Sequence, residues 1–313
     1  LLTVPKAGGP IDTLGPGSGP TLSPDGMTLA YLRSGQVWLY DFKTQRNRQG
    51  FTIRGRAGSL SWSPGGDRLA FVSQRGDHSF IGVYQLEQHA LSYLSPSVDH
   101  DGSPVWSPSG DQLAFIRQPH ERDNLPFIPH RTGLPWSIWR HDFATGHTIQ
   151  LWEAAAGTGS VFRGIAARNQ LFWMADQTLV FPYEGAGWTQ LYSIPAVGGA
   201  AKCLTPGEFE VQFVSKTPDR TYLLYSSNQG DIDRQHIWRV NSTVNPERLS
   251  GGAGIQWSPV QTGQGDLAAI REQPGEDGGD SAEGKGVIEA QGLGRLLRTQ
   301  PRPVVALPAG VVV

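Results

Sequence analysis

Along this chain a polar turn followed by a short apolar run recurs. Trp62-Ser63-Pro64-Gly65-Gly66-Asp67 leads into Arg68-Leu69-Ala70-Phe71, and Trp106-Ser107-Pro108-Ser109-Gly110-Asp111 leads into Gln112-Leu113-Ala114-Phe115. An earlier copy runs from Leu22-Ser23-Pro24-Asp25-Gly26 to Leu29-Ala30-Tyr31, and a weaker one from Thr217-Pro218-Asp219 to Leu223-Leu224-Tyr225. A late copy opens at Trp257-Ser258-Pro259 and resumes at Asp266-Leu267-Ala268-Ala269-Ile270. Residues 173–181 read as a degenerate copy without the proline, filling the long gap between Pro108 and Pro218. A period of roughly 40–50 residues with strand-like content is the sequence signature of a β-propeller.

Each unit has a physical rationale. Proline presets one φ and glycine permits the positive φ that reverses the chain, while the aspartate or its neighbour can bond the turn amides. The Leu-Ala-aromatic run predicts a buried strand with a small residue between two large ones. An alternating strand ending in a tight hairpin follows, as at Gln36-Val37-Trp38-Leu39-Tyr40-Asp41, Ser137-Ile138-Trp139-Arg140-His141-Asp142 and His236-Ile237-Trp238-Arg239-Val240. A fourth, outer strand comes next, as at Thr148-Ile149-Gln150-Leu151-Trp152 and Ala201-Lys202-Cys203-Leu204. Four strands per unit make a propeller blade. The predicted fold is therefore all-β, a single propeller domain over residues 1–313 with about six blades at 20–54, 58–95, 102–153, 160–205, 208–249 and 254–298.

Composition narrows the function classes. The 40 Gly, 23 Pro and 10 Trp, against 2 Met and 17% charged residues, describe a turn-rich, aromatic chain without long amphipathic helices. A net charge of −2 supplies no basic footprint, so nucleic acid is not expected as a partner. The single Cys203 rules out an internal disulfide or a cysteine metal cluster, and its predicted outer-strand position suits a buried structural thiol. No apolar run approaches the roughly 20 residues of a membrane span. The chain begins at Leu1 with neither an initiator Met nor a signal peptide, which leaves the ends and the compartment open between cytoplasm and periplasm or secretion.

Two stretches break the rhythm. Residues 118–135, with mixed charges, prolines and aromatics, read as an insertion between the first and second strands of the third blade. Long loops on rigid scaffolds are where binding residues concentrate, so Glu121, Arg122 and Asp123 become substrate-binding candidates, with a solvated connector as the alternative. Residues 275–286 are acidic and glycine-rich, but their acids lack the spacing of a calcium loop, and a hairpin loop is expected.

A search for catalytic constellations returns no catalytic residues, no metal ligands and no cofactor motif. There is no Gly-x-Ser-x-Gly elbow, no His-Glu-x-x-His and no phosphate-binding glycine loop ending in Lys-Ser or Lys-Thr. The eight histidines are scattered among loops and strand ends, and the pairs Asp231 with Asp233 and Glu208 with Glu210 read as turn chemistry.

The middle of the chain carries a further signal. Phe181-Pro182-Tyr183-Glu184-Gly185-Ala186-Gly187-Trp188-Thr189-Gln190-Leu191-Tyr192, then Leu204-Thr205-Pro206-Gly207-Glu208-Phe209-Glu210-Val211, then residues 225–240, resemble in order and spacing three segments of dipeptidyl peptidase IV-like propellers. Pro135-Trp136-Ser137-Ile138-Trp139 and Gly159-Ser160-Val161-Phe162-Arg163 are similar to bacterial members of the same prolyl oligopeptidase family of serine peptidases. The resemblance extends over about residues 18–298.

That resemblance implies a two-part serine peptidase. An α/β-hydrolase domain, C-terminal to the propeller and absent from this chain, would carry Ser, Asp and His. The propeller would gate entry and orient a short peptide substrate, and a homodimer is a further assembly to consider. Glu184 and Trp188 join the substrate-binding candidates, with packing between blades as the favoured alternative for Trp188. The family's ring usually has seven or eight blades, more than the six visible here. No adjacent Glu-Glu exists in the chain, so the amine-binding pair of dipeptidyl peptidase IV has no counterpart to transfer. The alternative from another class is a TolB-like propeller that binds a protein or peptide and has no hydrolase. A sugar-cleaving propeller enzyme finds less support, because no pair of acids repeats on equivalent strand ends.

Overall fold

A computed structural model describes residues 1–5, 12–120, 132–252, 254–261, 267–272, 285–289 and 311–312. Every regular element among them is a β-strand, so no helix there is long and apolar enough to cross a membrane. The chain divides into two compact units, one spanning Leu1–Val161 together with the strand Val311–Val312, the other spanning Phe162–Pro303.

In the first unit, the strands Ser18–Leu22, Thr28–Arg33, Gln36–Asp41 and Arg46–Phe51 form a four-stranded antiparallel sheet in chain order. The second set is Arg56–Trp62, Arg68–Gln74, Ser79–Gln85 and Ala90–Leu94; the third is His100–Trp106, Gln112–Gln118, Ser137–Asp142 and Thr148–Glu153. A single parallel bridge from His100 to Ser79 joins the second and third sets. The second unit repeats the meander twice. Phe172–Trp173, Thr178–Tyr183, Gln190–Pro195 and Lys202–Cys203 form one sheet. Val211–Lys216, Leu223–Ser227, His236–Val240 and Glu247–Arg248 form the next. Three strands, Ile255–Gln261, Leu267–Glu272 and Lys285–Glu289, follow. The expected all-β architecture of four-stranded antiparallel blades is borne out.

The repeated turn works as a small hydrogen-bonded frame. Ser63 Oγ donates to Asp67 Oδ1 at 2.7 Å and accepts from the Arg68 amide at 3.0 Å. Ser107 repeats both bonds with Asp111 and the Gln112 amide, at 2.8 and 3.1 Å. Gly66 and Gly110 sit at φ of +74° and +79°, where a side chain would be strained. The hydroxyl, not only the aspartate, is the hub of the turn.

Ala30, Ala70 and Ala114 occupy equivalent second strands and are fully buried. These strands read as apolar runs rather than as alternations, and in the second sheet both faces are covered, by the first sheet on one side and the third on the other. One core joins the first and second sheets through Val37, Leu39, Trp62, Phe71 and Tyr84; another joins the second and third through Val72, Ile81, Trp106 and Phe115. In the second unit Val180, Leu191, Phe209, Leu223 and Tyr225 share a third. Each fully buried large side chain contributes about 1.5–3 kcal/mol relative to exposure. Cys203 lies on a short outer strand, half-buried, with Sγ 3.3 Å from Gln190 Oε1, and burial pushes its thiol pKa up.

One expectation needs correction. The interruption at 118–135 joins the second strand of its sheet, Gln112–Gln118, to the third, Ser137–Asp142. The strand that ends at Trp106 begins at His100 and is the first of its sheet, although His-Asp-Gly-Ser-Pro lacks apolar alternation and the strand carries a bulge between Gly102 and Val105. The acidic stretch at 275–286 falls largely outside the described residues.

Candidate functional site

Each blade meander sends its second-to-third connection and its blade-to-blade connection to the same end of its sheet. The connections at 75–78, 119–136, 184–189 and 228–235 are therefore topological equivalents, and all five candidate residues map to two of them. Glu121, Arg122 and Asp123 lie outside the described residues, while Glu184 and Trp188 are within them.

In the second unit, Glu184 follows the strand Thr178–Tyr183 directly. Its side chain is buried, at 4% exposure, and its Oε2 stands 3.1 Å from Nε of Arg163, which is 38% exposed. A carboxylate sealed from water is thus ion-paired with a partly exposed arginine side chain. A guanidinium in this position suits a carbonyl or carboxylate oxygen. Gly185 makes the bend possible, since a Cβ there would meet the Tyr183 ring at 2.4 Å. The Glu184 carbonyl accepts from the Gly187 amide at 2.9 Å, closing a turn that leaves Trp188 at the surface, 37% exposed. The loop is then tied to the next sheet. Glu210 Oε2 accepts from the Thr189 amide at 3.1 Å, and Asn228 Oδ1 accepts from the Glu210 amide at 3.1 Å. Asp231 accepts from the Asp233 amide at 3.1 Å and pairs with Arg234 at 2.8 Å, the turn chemistry expected of it.

In the first unit, the corresponding ends of the second and third sheets border an open cavity of about 350 Å³ lined by Arg56, Gln74, Gly76, His78, Ser79 and His100. Behind it, Asp101 and Arg117 form a bidentate pair, Nε to Oδ1 at 2.7 Å and Nη2 to Oδ2 at 2.9 Å. Arg117 also donates to the Ser95 carbonyl at 2.7 Å, and its guanidinium lies 4.7 Å from the Trp139 ring centre. Burial pushes the Asp101 carboxyl up to about 6, against the opposing pull of Arg117. Beside the cavity His78 Nδ1 lies 2.6 Å from Asp77 Oδ1. Burial, reinforced by His120, holds the His100 pKa below its ordinary value. On the far side of the 119–136 connection, Gly133 donates to Ser160 Oγ at 2.8 Å, and the fully buried Trp136 donates to the Gly159 carbonyl at 3.1 Å.

Sequence reading did not select Arg163, Glu210, Asn228 or the histidines of the first unit. Arg163 stands 21 residues ahead of Glu184, and no local spacing links them. The family-like segments at residues 159–163, 181–192, 204–211 and 225–240 were the legible pointers to this region.

Residues 166–268 match the family model of the dipeptidyl peptidase IV N-terminal region, so the resemblance read at residues 181–240 holds. No curated protein matches the chain. Among solved structures, the acylaminoacyl peptidase of Pyrococcus horikoshii is similar at a TM-score of 0.61 and 15% identity, over 94% of this chain and 46% of that one. The β-propeller domain of the Trilobed protease from Pyrococcus furiosus is similar at 0.57 and 11% identity, over 88% and 79%. A putative TolB from Agrobacterium tumefaciens is similar at 0.53 and 15% identity, over 86% and 95%. The fold is that of a β-propeller, related to those of dipeptidyl peptidase IV-like peptidases and of TolB. The chain spans less than half the length of the acylaminoacyl peptidase it resembles.

Proposed function

We propose that this chain is the substrate-gating and substrate-orienting propeller of a prolyl oligopeptidase-type serine peptidase, non-catalytic by itself. Its chemistry would come from an α/β-hydrolase domain carrying Ser, Asp and His. The observation that carries this reading is the loop at 184–189, which lies inside the dipeptidyl peptidase IV-type segment and pairs a buried carboxylate with a partly exposed arginine side chain. Arg163 would receive a backbone carbonyl or terminal carboxylate of a short peptide, and Trp188 would cover an apolar side chain. Glu121 and Asp123 would offer carboxylates to the peptide's ammonium group, each charge-assisted bond contributing about 1.5–3 kcal/mol if shielded from water. Arg122 would lie among them.

The test is to express the complete open reading frame and treat it with a fluorophosphonate probe. A labelled serine outside residues 1–313, with residues 1–313 alone turning over no dipeptide-releasing or proline-directed substrate, supports the reading. Turnover and serine labelling by residues 1–313 alone would overturn it. The second reading, a TolB-like binding module, is favoured by the 95% coverage of the Agrobacterium protein. It predicts no labelled serine anywhere in the full product together with retained peptide binding.

A further inference from the structure

The eight histidines show no metal-binding spacing in the sequence, yet the fold sets two of them face to face. His100 begins the strand His100–Trp106, and His120 lies two residues beyond the partner strand Gln112–Gln118. The antiparallel register pairs His100 with Gln118, which brings the two rings to the same sheet end. His120 Nδ1 and His100 Nε2 stand 3.5 Å apart, with ring centres separated by 5.6 Å and both side chains half-buried. This separation exceeds the usual N–H donor–acceptor range of about 2.7–3.2 Å. It approaches the spacing of two imidazoles on one metal, since Zn–N bonds of about 2.0–2.1 Å at a tetrahedral angle place the nitrogens roughly 3.3–3.4 Å apart.

We propose that His100 and His120 form a two-imidazole chelate for a divalent transition-metal ion of the Zn²⁺ class. The surroundings fit a cation. Asp99 is held beside the pair: its Oδ1 accepts from the His120 amide at 3.3 Å, and its Oδ2 accepts from Ser97 Oγ at 3.2 Å. Asp77 is a second carboxylate at this end of the sheets, bonded to His78 on the cavity wall. Arg56 is the cation lining the same cavity, and the Arg117 charge is neutralised by Asp101. Among the described residues no third His, Cys, Asp or Glu converges with the two imidazoles, so water would complete the coordination. His100 lines the cavity of about 350 Å³, which has room for water on its side of the pair. Bound metal would clamp the end of the second strand to the start of the first, anchoring the described root of the 119–136 connection. This role is independent of whether the protein is a peptidase or a binding module.

Untagged protein, stripped with chelator, would be titrated with ZnCl₂ by calorimetry and with CoCl₂ by visible absorption. The expected result is one ion per chain and a Co²⁺ ligand-field spectrum. His100→Ala and His120→Ala should each weaken binding at least roughly tenfold, given that even outer-shell partners of metal sites typically carry 10–100-fold. His147→Ala, on an exposed hairpin of the third sheet, should leave both titrations unchanged. Circular dichroism would verify folding, and His120→Gln, which keeps bulk and polarity, replaces any alanine variant that unfolds. Absence of 1:1 binding, binding indifferent to His100→Ala, or loss confined to one of the two histidines would overturn the chelate.

Discussion

The indole Nε1–H of Trp106 donates to the carbonyl oxygen of Ser61 at 3.0 Å, reaching from the third sheet to the first strand of the second. Trp62 makes the same bond one blade earlier, to the Thr21 carbonyl at 3.1 Å. Trp62 and Trp106, which open two of the Ser-Pro turns, are thus rivets between consecutive blades as well as core residues.

Replacing Trp106 with Phe should therefore keep most of the apolar contact but orphan the Ser61 carbonyl. A cost of about 1–3 kcal/mol is expected, the penalty for a buried polar group losing its partner. Trp106→Ala, which also opens a cavity, should cost about 3–5 kcal/mol. Urea unfolding of both variants distinguishes the terms; a Trp106→Phe variant as stable as the unmodified protein would mean the hydrogen bond contributes nothing.

Asp101 and Arg117 are a second inward-facing relationship, at 0% and 9% side-chain exposure. Asp101→Asn would leave the guanidinium buried without its counter-charge, an expected loss of about 3–5 kcal/mol. Pairing it with Arg117→Met should recover part of that loss. Stability measured by denaturant across the double-mutant cycle is the check, and a single-variant loss below about 1 kcal/mol would remove the argument, since a pair that weak is of surface strength.

The turn aspartates set an acid limit. Hydrogen bonds from Ser109 and then Ser107 hold the Asp111 carboxyl below its ordinary pKa. Ser23 followed by the Met27 amide does the same for Asp25, and Thr217 followed by Thr221 for Asp219. With the folded pKa depressed, each contributes stability that is present above the unfolded value of about 3.9 and is lost as pH falls through the folded pKa. The Tm gap between the unmodified protein and Asp111→Asn should be full at neutral pH and shrink on acidification below about pH 4. A gap that is constant or widens in acid contradicts this.

Gly82 lies in the strand Ser79–Gln85, where a Cβ would stand 2.3 Å from Cζ of the fully buried Phe71. The ring has no free space to take, so Gly82→Ala should destabilise by about 1–3 kcal/mol through overpacking. Phe71→Leu in the same background should relieve part of the loss. A neutral Gly82→Ala would show that the core between the first two sheets can yield.

Function should respond at the loop ends. On the peptidase reading, Glu184→Ala in the full-length product frees Arg163 from its ion pair and should raise KM by roughly tenfold, about 1.4 kcal/mol, with a smaller change in kcat, because binding shared by ground and transition states is lost. The Glu121→Ala, Asp123→Ala double variant should show the same KM-weighted pattern. Unchanged kinetics in the double variant would return that segment to a solvated connector.

Sequence by itself determined the local frame. Ser63, Pro64, Gly66 and Asp67 act within a few residues of one another, and the Leu-Ala-aromatic runs declare a strand enclosed on both faces, so periodicity exposes both. The dipeptidyl peptidase IV-type segment was legible for the same reason, being a run of residues in fixed order. The tertiary structure decided everything that depends on register between distant strands. It moved the 118–135 interruption to the second-to-third connection, because His100–Trp106 pairs as a strand despite its polar composition. It also joined Arg163 to Glu184, Trp106 to Ser61 and His100 to His120. Such pairs form where antiparallel pairing and inter-sheet packing bring chain ends together, and no local pattern of polar and apolar residues encodes which end meets which.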